Sequence, residues 1–154
     1  MSVAPTSTQK LIIKFPTDKQ WIKAVPGEQA AICVRGSDVS DAYSVVELMV
    51  APLGGPPMHI HENEDEIIVV LEGCVRCVCD ETRFDAPAGT TFVVPRGVPH
   101  AWRSLPDTTS RVLLTFTPSG MEGYFEEVAG RPQEEWATIA KKYACLLVGP
   151  RIEL

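Results

Sequence analysis

A chain of 154 residues, 45% hydrophobic and 22% charged, has the length for one domain with a real core and is too short for two comfortable ones. Its net charge of -6 argues against a surface for nucleic acid or anionic lipid, either of which would need clustered Lys and Arg, so a small-molecule partner is expected instead. No apolar run is long enough to span a bilayer, the start lacks a signal peptide's basic stretch, and five cysteines is an odd number, so a cytoplasmic protein without disulfides is expected.

In chain order, residues 1–10 read as a polar, proline-interrupted arm. Ile12 to Phe15 and Ala30 to Arg35 read as short strands, and Tyr43 to Ala51 as a longer β-branched one closed by the Leu53-Gly54-Gly55-Pro56-Pro57 turn. Further strands are predicted at Met58 to His61, Glu66 to Leu71, Val75 to Cys79, Thr90 to Val94, Pro99 to Arg103 and Arg111 to Thr117. From Ser119 the periodicity becomes helical. Ser119 and Glu122 form a capping-box pattern ahead of Met121, Tyr124, Phe125 and Val128, and Gly130 ends that helix. Pro132 opens a second helix, with Trp136, Ile139, Ala140, Tyr143 and Leu147 on one face and Gly149 and Pro150 as its stop. The expectation is an all-β body, a small β-barrel or sandwich over about residues 28–118, with two amphipathic helices over about 120–148 packed outside it.

The chain has three histidines, His59, His61 and His100. Neutral imidazole is the commonest protein ligand for transition metals near neutral pH. His59 and His61 alternate on one strand and so share a face. Glu66 adds a carboxylate after four intervening residues, and His100 arrives from a strand distant in sequence. The bland alternative is that each histidine sits at a turn or makes a core hydrogen bond.

At these residues the sequence resembles the cupin superfamily of small double-stranded β-helix barrels. The first cupin motif, G-x5-H-x-H-x(3,4)-E-x6-G, is met by His59, His61, Glu66 and Gly73, with Leu53 in the place of the opening glycine. The second, G-x5-P-x-G-x2-H-x3-N, is met by Gly89, Pro95, Gly97 and His100, with Ser104 in the place of the asparagine. The segment from Gly54 to Glu66 and the tail from Ala140 to Pro150 are similar to one-domain bacterial cupins related to the quercetin dioxygenases. The resemblance implies a metal held by His59, His61, Glu66 and His100, with Glu66 preferred over Glu62, Glu64 or Asp65 by its register to Gly73. The ion would be one divalent transition metal, whether iron, manganese, nickel, copper, cobalt or zinc, since this ligand set suits all of them. Four protein ligands on an octahedral ion would leave two positions open, and in the related dioxygenases the metal acidifies a hydroxyl beside a carbonyl, for which Glu66 would be the proton acceptor.

Alternation sets the remaining expectations. Glu66 shares its face with Ile68 and Val70, and His100 shares its face with Trp102, so these would line the cavity, joined by Cys77 if its strand turns that way. Glu47 and Met49 share a face with Tyr43 that is either cavity or solvent. Cys74 and Cys77 spell CxxC but fall on opposite faces of a strand, unlike a redox pair. Parity places Arg76, Arg96 and Arg103 outward, which disfavours a phosphate site. The functions compatible with these residues are a dioxygenase for an aromatic or enol-type, flavonol-like molecule, a metal-dependent isomerase or lyase, and a binding module without turnover. A homodimer joined through the apolar segment Leu11 to Phe15 is the expected assembly.

Overall fold

The structure, a computed structural model, describes residues 10–154. In chain order the elements are β1 (Ile22–Lys23), β2 (Glu28–Val34), β3 (Ser44–Val50), β4 (His59–His61), β5 (Asp65–Glu72), β6 (Cys74–Cys79), β7 (Thr82–Pro87), β8 (Thr91–Val94), β9 (His100–Ser104), β10 (Ser110–Thr117), α1 (Glu122–Glu127), α2 (Gln133–Lys142) and β11 (Cys145–Leu147). The strands form two antiparallel sheets, one in the order β1-β2-β3-β10-β5-β8 and the other β11-β4-β9-β6-β7. This is a jelly roll, as expected, with the helices outside it.

The inward faces follow from period two. In β10, Ser110, Val112, Leu114 and Phe116 are buried and alternate with partly exposed neighbours; in β5, Glu66, Ile68 and Val70 do the same. Paired across the sheet, Leu114 lies beside Ile68 and Val46, and Phe116 beside Glu66 and Ser44. The two sheets share one core in which Leu48, Val50, Val75, Trp102 and these residues pack together. Burying each such side chain contributes about 1.5–3 kcal/mol, which is why β-branched and aromatic residues on one face suffice to set the register.

Three local expectations need correction, and one strand was not expected. Ile12 to Phe15 is not a strand: Leu11, Ile13 and Phe15 are exposed and have no sheet partner among the described residues. A β-branched run without a strand to pair with gains nothing from extended structure. The second helix stops at Lys142, because Ala144 takes a left-handed backbone (φ 52°) and the chain turns into β11, so Leu147 lies on a strand beside His59. Ser119 does not cap α1; its hydroxyl faces Asp41 Oδ1 at 3.4 Å, whereas Glu122 does reach back to accept the Gly120 N–H at 2.8 Å. The strand β7, a polar edge strand ending in Pro87, has no counterpart among the sequence expectations because Thr82 to Pro87 carries little apolar alternation.

At Leu53, where the family motif has glycine, φ is +64°. The turn requires a left-handed residue there, and leucine adopts that conformation at a cost of about 1 kcal/mol. Two residues on, Gly55 (φ +144°) has no such latitude, since a Cβ would meet the Trp102 carbonyl oxygen at 2.1 Å. The turn therefore lies directly against β9, and this contact matters for the cavity.

Candidate functional site

The four residues His59, His61, Glu66 and His100 converge inside the barrel, and their donor atoms all lie within 4.8 Å of one another. The histidines come from adjacent strands of one sheet, β4 and β9, where His59 and His100 are direct cross-strand partners. Glu66 comes from the other sheet. The group thus bridges the two sheets, and each member is buried because its strand turns that parity inward.

Two ring orientations are fixed by the backbone. A carbonyl oxygen can only accept, so His59 Nδ1–H donates to Pro57 O at 2.8 Å and His100 Nδ1–H donates to Val98 O at 3.0 Å. In both rings Nε2 is left to face the site. His100 Nε2 lies 2.8 Å from Glu66 Oε2, and His61 Nε2 lies 3.3 Å from the same oxygen. The ring centroids of His59 and His100 are 4.1 Å apart, and His61 packs edge-on against Phe116 at 5.4 Å.

Electrostatics explain what each group does without an ion. Burial alone would raise the Glu66 carboxyl, but the hydrogen bonds from His100 and His61 and their charges reverse this and hold it far below the usual carboxylate range. Burial would lower His100, yet its bond to Glu66 raises it above an ordinary histidine. His59 lacks such a partner: burial, then the charges of His100 and His61, push it down to about 3, so it is a neutral imidazole at physiological pH. One carboxylate cannot match three imidazoles in a dry interior, and His61 Nδ1 is buried without a hydrogen-bond partner. A divalent ion suits this donor set, because Nε2 of His59 and His100 are pre-aimed, the carboxylate supplies charge, and no Lys or Arg pairs with Glu66 among the described residues.

The group opens on a cavity of about 60 Å³ of free space, room for a few waters at about 10–15 Å³ each. His59, His61 and Glu66 line one part of it, and Leu48, Trp102, Leu114, Phe116, Met121 and Phe125 supply an apolar, aromatic wall. Trp102 is therefore a cavity residue. Ile68, Val70 and Cys77 are fully buried in the core but are not at the cavity wall. Glu47 and Met49 face away from it: β3 turns Val46, Leu48 and Val50 inward, Met49 is exposed, and Glu47 pairs with Lys19 and, at 3.3 Å, with Arg111 on the outer face. A carboxylate gains more from those two cations outside than from an apolar interior.

Three cavity features have no counterpart in the sequence reading. Glu28, the first residue of β2, turns inward with Ala30, and Arg151 from the tail also reaches the cavity. Trp136 of α2 closes the wall, its Nε1–H donating to Arg131 O at 3.1 Å. Glu64, weighed by sequence against Glu66 as a ligand, is not at the cavity wall; it is buried with Oε2 unpartnered, and burial raises its carboxyl. The alternation Glu28-x-Ala30-x-Ile32 was the available signal for Glu28, but Ala31 is buried too and blurs it. Arg76 and Arg96 do face outward, paired with Asp85 and Asp65, and the five cysteines are free thiols.

Comparison with known proteins agrees with this architecture. A family profile described as a cupin domain matches residues 46–116, the segment that carries all four converging residues. The quercetin 2,3-dioxygenase of Bacillus subtilis (strain 168) is 27% identical over 105 residues, which is 68% of this chain and 31% of that protein's length. The match therefore spans about a third of that relative. Among solved structures, an RmlC-like cupin from Shewanella frigidimarina NCIMB 400 aligns with a TM-score of 0.65 at 18% identity, covering 76% of this chain and 99% of that one. The polyketide cyclase RemF from Streptomyces resistomycificus aligns at 0.63 with 24% identity, covering 71% and 81%. Two jelly-roll sheets, the two histidine motifs in register and these matches together support a cupin superfamily assignment for this chain.

Proposed function

We propose that this chain is a metal-dependent dioxygenase for a small aromatic or enol-type molecule that, like a flavonol, carries a hydroxyl beside a carbonyl. The observation that carries the reading is the placement of four buried donor atoms within 4.8 Å of one another, with His59, His61 and Glu66 at the wall of an aromatic cavity. When held by His59, His61, Glu66 and His100, a divalent transition ion supplies Lewis acidity toward the two oxygens and, where its redox couple allows, a route for electrons to dioxygen. The chain's own residues do the rest. Trp102, Leu114 and Phe116 exclude water and hold a flat ring. Glu66, as a carboxylate at the cavity wall, accepts the hydroxyl proton. The histidine contacts that depress its basicity are the ones surrendered when the Nε2 lone pairs turn to an ion.

The test is oxygen uptake with quercetin by protein reconstituted separately with iron, manganese, nickel, cobalt and copper. Turnover with at least one metal, lowered about 10²–10⁴-fold by Glu66→Gln, is the expected result. No uptake with any of them contradicts the dioxygenase reading. A second reading, a metal-dependent isomerase or lyase, is favoured by one observation, the Arg151 guanidinium at the cavity wall, and it predicts turnover with zinc under anaerobic conditions.

The proposal extends to a homodimer in a reducing compartment such as the cytoplasm. Leu11 is 86% exposed, and Ile13 and Phe15 stand beside it, more apolar surface than an isolated chain gains by showing to water. A dimeric mass by light scattering, reduced to monomer by Leu11→Asp with Ile13→Asp, is expected; a monomeric wild type contradicts this part.

A further inference from the structure

The cavity holds a second buried carboxyl that the metal chemistry does not use. Glu28 is 6% exposed, and its Oε1 is buried without a hydrogen-bond partner. It lies opposite Val50 at one end of β3, whereas Glu66, through Phe116, lies level with Ser44 at the other. The two carboxyls therefore stand at opposite ends of one cavity. Arg151 is at the Glu28 end but makes no ion pair with it within 4.0 Å. Pro57, Trp136, Leu147 and Arg151 also line a groove on the surface, so this is the end that meets solvent. Burial is the main influence on the Glu28 carboxyl and raises it to about 7, against smaller lowering by Arg151 and the Gly55 N–H.

A buried carboxyl with an idle oxygen is costly, and proteins retain such groups where a ligand completes them. Nothing in the fold requires an acid here: its cross-strand neighbour is Val50, and the strand's inward neighbour is Ala30. We propose that Glu28 and Arg151 are the specificity pole of the cavity, both hydrogen-bonding an oxygen carried by the ligand at the end opposite its metal-binding edge. This inference rests on the metal-chelating reading of the site. It assigns the ligand class more narrowly, as a small ring with a hydroxy-ketone edge on one side and a hydroxyl or carbonyl oxygen on the other.

Two probes isolate the effect. Kojic acid and allomaltol share a hydroxy-ketone edge and differ by one hydroxyl on the far side of the ring. Binding to the metal-loaded protein is followed by the fluorescence of Trp102 and Trp136, both at the cavity wall. The expected result is about tenfold tighter binding of kojic acid, abolished in Glu28→Leu and partly kept in Glu28→Gln, with allomaltol binding and metal content unchanged. A wild type that does not discriminate, or a Glu28→Leu variant that still does, overturns the proposal. If neither probe binds, the chelation reading fails, and the thermal unfolding of the metal-free protein at about pH 8 decides on Glu28 by itself. A higher Tm in Glu28→Gln than in wild type identifies a group held for a ligand, whereas a lower one identifies a structural strut and overturns the proposal.

Discussion

The two ends of the cavity bury one carboxyl each, from inward positions of the same sheet, and treat them oppositely. Glu66 is fully ionised because two imidazole Nε2 atoms, at 2.8 and 3.3 Å, pay for its desolvation. Glu28 is raised to about 7 because burial outweighs a single backbone donor, Gly55, and a guanidinium beyond ion-pair distance. Burial is common to both, so partners and not depth decide which carboxyl is a charged ligand and which is an acid. The apolar and aromatic wall between them, from Leu48 to Phe116, keeps the two environments separate.

The largest expected effect breaks the Glu66 end. His100→Ala removes the closest partner of a buried carboxylate, and urea unfolding of the metal-free protein should show a loss of about 3–5 kcal/mol. A loss under about 1 kcal/mol would mean that His100 is not what holds the buried Glu66 as a carboxylate. Next is the Glu28 end, through pH. A carboxyl raised from 4.5 to about 7 binds more protons folded than unfolded, so its stabilisation is present below about 4.5 and is lost as pH rises toward 7. The metal-free protein should lose about 3 kcal/mol over that window from this group, at about 1.4 kcal/mol per pH unit. Glu28→Gln should remove that slope, which the difference between the two urea-derived profiles measures directly; parallel profiles contradict the raised carboxyl. The smallest effect concerns the turn that presents the Gly55 N–H to Glu28. Leu53→Gly relieves the left-handed leucine and should raise stability by about 1 kcal/mol without altering the pH slope.

The Glu66 end was legible in the sequence and the Glu28 end was not, for a physical reason. His59-x-His61 shares a face by parity, and the resemblance to the cupin motifs, through the spacings to Gly73 and Gly97, places Glu66 and His100 with it, although Ala101 and Trp102 are both buried on β9. Glu28 opens a strand whose Ala30 and Ala31 are both fully buried, so neither face stands out. The same ambiguity hid the orientation of β3, where Val45, Val46, Leu48, Met49 and Val50 are all apolar. Parity therefore leaves Glu47 and Met49 between cavity and solvent, and Lys19 and Arg111, remote in sequence, hold the buried Glu47 on the side of the sheet away from the cavity. Leu147 fits helical spacing from Tyr143, yet the left-handed Ala144 sends it into β11, an interruption no side-chain pattern encodes. Arg151 reaches the cavity only because β11 returns the tail to β4.

The central claim is that His59, His61, Glu66 and His100 form a metal centre, and elemental analysis tests it most directly. Protein purified without chelator and without a metal-affinity tag should carry about one divalent transition ion per chain, and His59→Ala, purified in the same way, should lose it. Wild-type protein that takes up no metal even after reconstitution would contradict the account and leave a cavity that binds its ligand through hydrogen bonds alone.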